Sequence, residues 1–270
     1  MARLIAFQAC RHGIGCSHLV ANLAVVLMHR GYRVGLLDTD LQVGGMRALF
    51  ELEADISAEA NAYWWLSADT RSTKTLKADL YLHGDRPDSQ SAGIYLSSLG
   101  RYFSGGASEA QVGPQSYNLE KPYELLQQLS EELSLDFWLI DNQPELTDSN
   151  LIGLSLADIA LILLQLDPYD LQRAAVLIEV IEQLEITKTW LVPSLVLPTI
   201  ETSVVKHMLE NTYKQPVAGI LYLTDELAGL ASQGIFCLHH PHHVLTQTMI
   251  AIAHQLEQEV QASAAPSSDT

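Results

Sequence analysis

The sequence predicts an α/β protein: a doubly wound, mostly parallel sheet with helices on both faces. Three observations predict it. Short, uninterrupted apolar runs recur at strand length, as expected of strands buried on both faces. Segments with apolar residues at helical spacing alternate with them, the grammar of parallel crossover units. Two of the apolar runs end on aspartate, and the carboxyl ends of parallel strands are where such sheets bind ligands.

The elements follow in order. Leu4-Ile5-Ala6-Phe7 is the first strand, and the glycine-bearing turn His12-Gly13-Ile14-Gly15 follows it. Leu19, Val20, Leu23, Ala24, Val26 and Leu27 keep helical spacing, and Gly31 marks the helix end. Val34-Gly35-Leu36-Leu37 is a second strand ending on Asp38. Residues 52–122 are less regular and rich in Gly, Pro, Ser and Asp; they predict a helix near Ala58–Leu66, a strand at Gly93–Ser98 and otherwise long loops. Phe137-Trp138-Leu139-Ile140 is a buried strand ending on Asp141, and Ile159–Leu164 is another. A helix over Leu171–Leu184, a strand over Thr189–Val196, a helix over Val204–Tyr213, a strand over Val217–Leu223 and a last helix over Val244–Val260 complete the series. The expected organisation is one domain over residues 1–261, with an irregular insertion at about 52–122 and a disordered polar tail at 262–270.

The chain has 270 residues, with 15 Lys+Arg against 32 Asp+Glu, a formal charge of -17 spread along both halves. Hydrophobic residues make up 48% and charged residues 17%, the balance of a globular protein rather than an acidic disordered one. An acidic surface repels phosphate backbones and anionic headgroups, so neither nonspecific DNA binding nor membrane attachment is expected. No stretch reaches the roughly 18 apolar residues of a membrane span. Three cysteines, Cys10, Cys16 and Cys237, do not suggest a disulfide framework. The expected compartment is the cytoplasm.

The turn Cys10-Arg11-His12-Gly13-Ile14-Gly15-Cys16-Ser17 lies between first strand and first helix, where a phosphate loop belongs. In such a loop backbone N–H groups cradle phosphates, a lysine reaches the terminal oxygens and a Ser or Thr holds Mg²⁺. Here the lysine position is Cys16, and by itself the segment reads as a tight turn that needs Gly13 and Gly15. Two more segments accompany it. Asp38-Thr39-Asp40-Leu41-Gln42-Val43-Gly44-Gly45 ends the second strand, and Asp141-Asn142-Gln143-Pro144 ends a later one.

Together the three segments resemble the MinD/ParA family of P-loop ATPases, with its K-G-G-x-G-K-[ST], D-x-D-P-Q-G and strand-Asp-x-x-P motifs. The similarity extends over most of the chain, through Val20-Ala21-Asn22-Leu23-Ala24, Asp167-Pro168-Tyr169-Asp170-Leu171, Gly219–Leu223 and Gly234-Ile235-Phe236; residues 52–122 match least. The resemblance implies a P-loop NTPase fold and a site at Arg11, His12, Gly13, Ile14, Gly15, Cys16, Ser17, Asp38 and Asp141. Arg11 stands where the family has its signature lysine, which reaches a dimer partner's phosphates, and Cys16 where it has the loop lysine. Ser17 matches the Mg²⁺-binding hydroxyl and Asp141 the strand aspartate near the metal. Asp38 matches a metal-side switch residue, and Asp40 the carboxylate that positions attacking water. Ser194 falls near the family's adenine-reading asparagine.

The departures cluster at the chemistry. Cys16 removes a cation from beside the triphosphate, and His12 puts a side chain where the family has glycine. ATP and Mg²⁺ are the implied ligands, and these replacements weigh against both. The expected protein is a pseudo-ATPase, a homodimerising scaffold or regulator that positions or recruits a protein partner. The alternative is a weak ATP-hydrolysing switch, with Arg11 as phosphate cation, that positions a cargo or secretion complex. Cys10 and Cys16 flank the loop, and helix N-termini lower thiol pKa values, the basis of a thiol-switch reading; filling of vacated space is the preferred reading. Cys237-Leu238-His239-His240-Pro241-His242-His243 holds five potential metal ligands in seven residues, yet matches no zinc spacing and reads as a polar loop with histidines capping the last helix. Trp138 and Trp190 are expected in the core, and Trp64-Trp65 packed under the long loops.

Overall fold

The computed structural model describes residues 2–39, 45–50, 74–76, 92–98, 120–231 and 233–264. The first half runs β1 (Arg3–Ala9), α1 (Cys16–His29), β2 (Arg33–Asp38), α2 (Gly45–Leu49), β3 (Lys74–Leu76) and β4 (Gly93–Ser98). Then come α3 (Glu120–Glu132), β5 (Phe137–Asn142), α4 (Asp148–Ser155), β6 (Ile159–Leu164), α5 (Pro168–Gln183) and β7 (Lys188–Pro193). The chain closes with α6 (Thr202–Tyr213), α7 (Asp225–Leu230), α8 (Phe236–His239) and α9 (Val244–Ala264).

The strands form one seven-stranded sheet in the order β3-β4-β2-β5-β1-β6-β7. Every pairing is parallel except β3 with β4, which is antiparallel at the outer edge. β5 and β6 are buried at every position, which is why their sequences are apolar runs rather than alternations. Helices cover both faces. Val20, Leu23 and Leu27 of α1 and Leu245, Met249 and Ile252 of α9 share one core with Ile5, Phe7 and Leu36. Leu126 of α3, Leu154 of α4, Ala174 and Leu177 of α5 and Leu209 of α6 share the other with Leu4, Ala6 and Trp138. Arg30, the C-cap of α1, forms a two-pronged ion pair with the buried Glu257 of α9 and so ties that layer together.

Strand order reverses around β1. From β1 the chain leads through α1 to β2 on one side, and from β5 through α4 to β6 on the other. The carboxyl ends of β1, β2 and β5 therefore converge on a switch-point crevice. Gly35 lets β2 pass Trp138, since a Cβ there would lie 2.5 Å from the indole.

Most predicted elements stand. Gly93–Ser98 is β4, and Gly31 ends the first helix region with φ +95°. The predicted helix at Ala58–Leu66 and the Trp64-Trp65 pair lie outside the described residues. Trp138 and Trp190 are buried in the two cores. The expected strand at Val217–Leu223 is corrected: isolated parallel bridges, Leu191 with Val217 and Val196 with Tyr222, and a hydrogen bond from Leu221 N to Pro193 O at 2.8 Å join it to the sheet region without a continuous ladder. The reason is Pro193, which has no N–H to donate and removes a rung from the ladder. The carbonyl of Ala218 instead accepts from Gln255 Nε2 of α9 at 2.8 Å. The last helix also continues through Ala264, so the first three residues of the expected tail are helical.

Candidate functional site

Between β1 and α1 the backbone makes a compact loop over residues 10–15. Gly13 and Gly15 both take positive φ, +78° and +92°, a region open to glycine at little cost. Gly15 is the N-cap of α1 with no side-chain cap, so the first-turn N–H groups face the crevice unclaimed by a capping side chain. The loop is pinned at both ends. Cys10 N donates to Leu163 O at 2.8 Å, and Ser194 Oγ donates to Ile14 O at 2.7 Å. Ser194 is buried, so its hydroxyl is committed to the loop rather than presented for base recognition.

A cleft of about 150 Å³ opens here, lined by Ala9, Arg11, His12, Gly13, Gly15, Cys16, Ser17, His18 and Asp141 to Pro144. Asp38, the last residue of β2, and Asp141, the next-to-last of β5, are paired in the β2–β5 register, each 1% exposed. Cys16 lines the cleft together with Asp141. Burial, followed by the charges of Asp141 and Asp38, pushes the Cys16 thiol pKa well above the ordinary value. A helix N-terminus ordinarily lowers a thiol pKa; here desolvation and two carboxylates outweigh it. Cys10 is likewise pushed up to about 12, chiefly by burial. Neither is an activated thiol. Burial also holds the His18 imidazole below its ordinary value, so it adds no charge near neutrality.

Among the described residues lining the cleft, Arg11 is the one lysine or arginine. Its guanidinium turns to α5, with Nη2 donating to Asp167 Oδ2 at 2.5 Å and Nε lying 3.4 Å from Asp170 Oδ1. The Asp167 hydrogen bond holds Arg11 above its ordinary pKa, and Arg11 in return lowers that of Asp167. His12 is exposed and pairs with Glu145 at 2.7 Å on the opposite rim. Thr39 Oγ1 lies 2.8 Å from Asp141 O and 3.0 Å from Asn150 Oδ1, which fastens the end of β2 to β5 and α4.

The predicted residues thus gather, apart from Asp40, which lies outside the described residues. Asp167, Asp170, Glu145 and Ser194 acquire contacts to the loop that sequence reasoning did not assign. The signal for one of them was present: Asp167-Pro168 is an N-cap followed by proline at the first helical position. The histidine-rich segment is also placed. Cys237 is buried with its N–H donating to Asn22 Oδ1 at 2.7 Å, and His243 Nδ1 accepts from Leu245 N at the start of α9. Among the described residues, no group of three His, Cys, Asp or Glu could hold a metal ion.

The donors fit Mg²⁺ that arrives with phosphate. Asp38, Asp141 and the Ser17 hydroxyl are hard oxygen groups, and Mg²⁺ is commonly held by one or two carboxylates plus substrate phosphates. Ser17 and Asp141 would hold Mg²⁺, which would neutralise phosphate charge.

The AAA domain family matches residues 2–192, across the loop and both aspartate-ended strands. The chain belongs to this family. None of the curated proteins matches it. Among solved structures, MinD of Pyrococcus horikoshii complexed with Mg-ADP superposes with a TM-score of 0.68 at 15% identity, covering 98% of this chain and 99% of that one. A ParA family ATPase from Chlorobium tepidum gives 0.67 at 15%, covering 94% and 99%. The MinC:MinD cell division protein complex of Aquifex aeolicus gives 0.65 at 17%, covering 95% and 96%. These likenesses establish the P-loop NTPase fold along nearly the whole chain. Among the described residues, no helix is long and apolar enough to cross a membrane.

Proposed function

We propose that this MinD/ParA-type chain is a pseudo-ATPase: it takes a Mg²⁺-nucleotide at the loop, does not turn it over, and serves as a dimerising scaffold or regulator that positions or recruits a protein partner. The observation that carries this reading is Cys16, in the family's lysine position, lining the cleft with Asp141 and held as a neutral thiol by burial. Phosphoryl transfer depends on positioning and charge stabilisation. A neutral thiol supplies no charge, and loss of one well-placed stabilising group costs roughly 10²–10³ in rate. The Mg-ADP complex of one relative supports nucleotide entry, and the MinC:MinD complex of another supports a protein partner. The formal charge of -17 favours a protein surface over nucleic acid or lipid, and the cytoplasm as the place of action.

The test is ATP·Mg²⁺ turnover by wild type and Asp40→Ala. Equal, background rates support the proposal; wild-type turnover abolished by Asp40→Ala defeats it. Arg11 favours a second reading, because a guanidinium at the cleft can take phosphate in bidentate fashion. On that reading the chain is a slow ATPase switch, and light scattering would show a dimer that forms with ATP and decays as ATP is consumed.

A further inference from the structure

Arg11 is held by two carboxylates of one helix, and each carboxylate already has a second task. Asp167 is the N-cap of α5: its Oδ1 accepts from Tyr169 N at 2.9 Å and Asp170 N at 3.1 Å, while its Oδ2 takes Arg11 Nη2. Asp170 is fully buried; its Oδ2 accepts from Gln165 N at 2.8 Å, while its Oδ1 faces Arg11 Nε. A buried carboxylate needs a paired cation. Arg11 is that cation here, so its departure is opposed by Asp170 as well as by Asp167.

The fork of the guanidinium matters. The Nε and Nη2 donors lie on one edge, the edge suited to grip an anion with two parallel bonds. That edge faces α5. A phosphate gripped in the same way must displace carboxylates from it.

We infer that Arg11, Asp167 and Asp170 form a latch that couples phosphate occupancy of the loop to the N-terminal turn of α5. The inference rests on the reading of the loop as a phosphate site. With the latch closed, the cleft's arginine is withheld from the ligand and the cap of α5 is braced. When phosphate draws Arg11 away, Asp170 loses its cation and Asp167 keeps only its backbone partners. The turn that responds is an exposed one: Tyr169 stands 58% open to solvent, with the Arg173 guanidinium 5.6 Å from its ring centroid. Nucleotide state is thereby displayed on a surface that a partner can reach.

The test titrates the full chain with a fluorescent ATP analogue and Mg²⁺. Asp167→Asn removes the charge facing Arg11 yet keeps a residue that caps as well as aspartate. The expected result is binding tighter by roughly fivefold, the upper range for a partly exposed ion pair, and loss of that gain in Arg11→Ala/Asp167→Asn. Asp167→Ser, a second capping residue, should act alike, with thermal melts confirming that each variant folds. Affinity equal to wild type overturns the latch and leaves the phosphate site standing, as does a gain that survives Arg11→Ala. No binding by wild type, Asp167→Asn or Cys16→Lys overturns the phosphate-site reading and the latch with it.

Discussion

Cys16, the first residue of α1, and Asp141 of β5 line one cleft, where burial and then the charge of Asp141 keep the Cys16 thiol protonated. A lysine in that position would bring positive charge to a pair of buried carboxylates and to any phosphate above them. The thiol brings a proton and no charge. On the proposed reading, the loop is a phosphate loop short of one cation.

Slow thiol chemistry follows. Each unit by which a thiol pKa is raised removes about nine-tenths of its reactive thiolate. Cys16 is shifted well upward and Cys10 and Cys237 to about 12, in each case chiefly by burial. All three should react with an alkylating reagent at pH 7.5 at least tenfold more slowly in the native protein than in denaturant. Mass spectrometry of partly labelled protein checks this, and rapid native labelling of Cys16 would revive the thiol-switch reading.

The same shifts set a pH dependence. Below pH 9 the thiols of Cys10 and Cys237 keep their protons in folded and unfolded chains alike. Between about 9 and about 12 the unfolded thiols ionise while the folded ones do not, so unfolding releases protons and stability falls as pH rises. The limiting slope is about 1.4 kcal/mol per pH unit for each thiol. Urea midpoints measured from pH 8 to 10.5 should decline, and less steeply in Cys10→Ala/Cys237→Ala.

Ser194 should matter for the loop more than its distance in sequence suggests. Ser194→Ala leaves the carbonyl of Ile14 without its 2.7 Å donor. Stranding a buried acceptor costs about 1–3 kcal/mol, and a chain of this size melts about 2–4 °C lower per kcal/mol. Calorimetric melting checks the shift, and Ser194→Thr, which keeps the hydroxyl, should lose less.

Arg30 and Glu257 offer a separate test of the packing between α1 and α9. Glu257 is 4% exposed, so Arg30→Ala strands a buried carboxylate. Breaking a buried pair costs about 3–5 kcal/mol, and partial exposure of Arg30 puts this one at the low end. Glu257→Leu in the Arg30→Ala background should recover much of the loss in urea denaturation.

The parts of this fold legible in sequence are those whose burial dictates a pattern. β5 and β6 are buried throughout and read as apolar runs; α5 and α6 bury one stripe and read as helices. Other helices were hidden by local chemistry. Pro122 closes the Gly- and Pro-rich stretch 52–122 that reads mostly as loop, yet it sits in the first turn of α3, where a missing N–H costs nothing. α4 spans only eight residues and has no clear apolar stripe, although Thr147 caps it. Val217–Leu223 misled in the opposite direction, because its apolar run packs beside β7 at a point where Pro193 cannot complete the ladder. The loop residues were legible because each motif is contiguous. Their partners were not, because Asp167, Asp170 and Ser194 reach the loop only after the chain has crossed the sheet.

The central claim is that the site lacks one cation, and restoring it is the most direct test. Calorimetric titration with ATP·Mg²⁺ should show Cys16→Lys binding more tightly than wild type. A charged hydrogen bond contributes about 1.5–3 kcal/mol, so the expected gain is roughly 10- to 150-fold. Equal or weaker binding by Cys16→Lys would contradict the account.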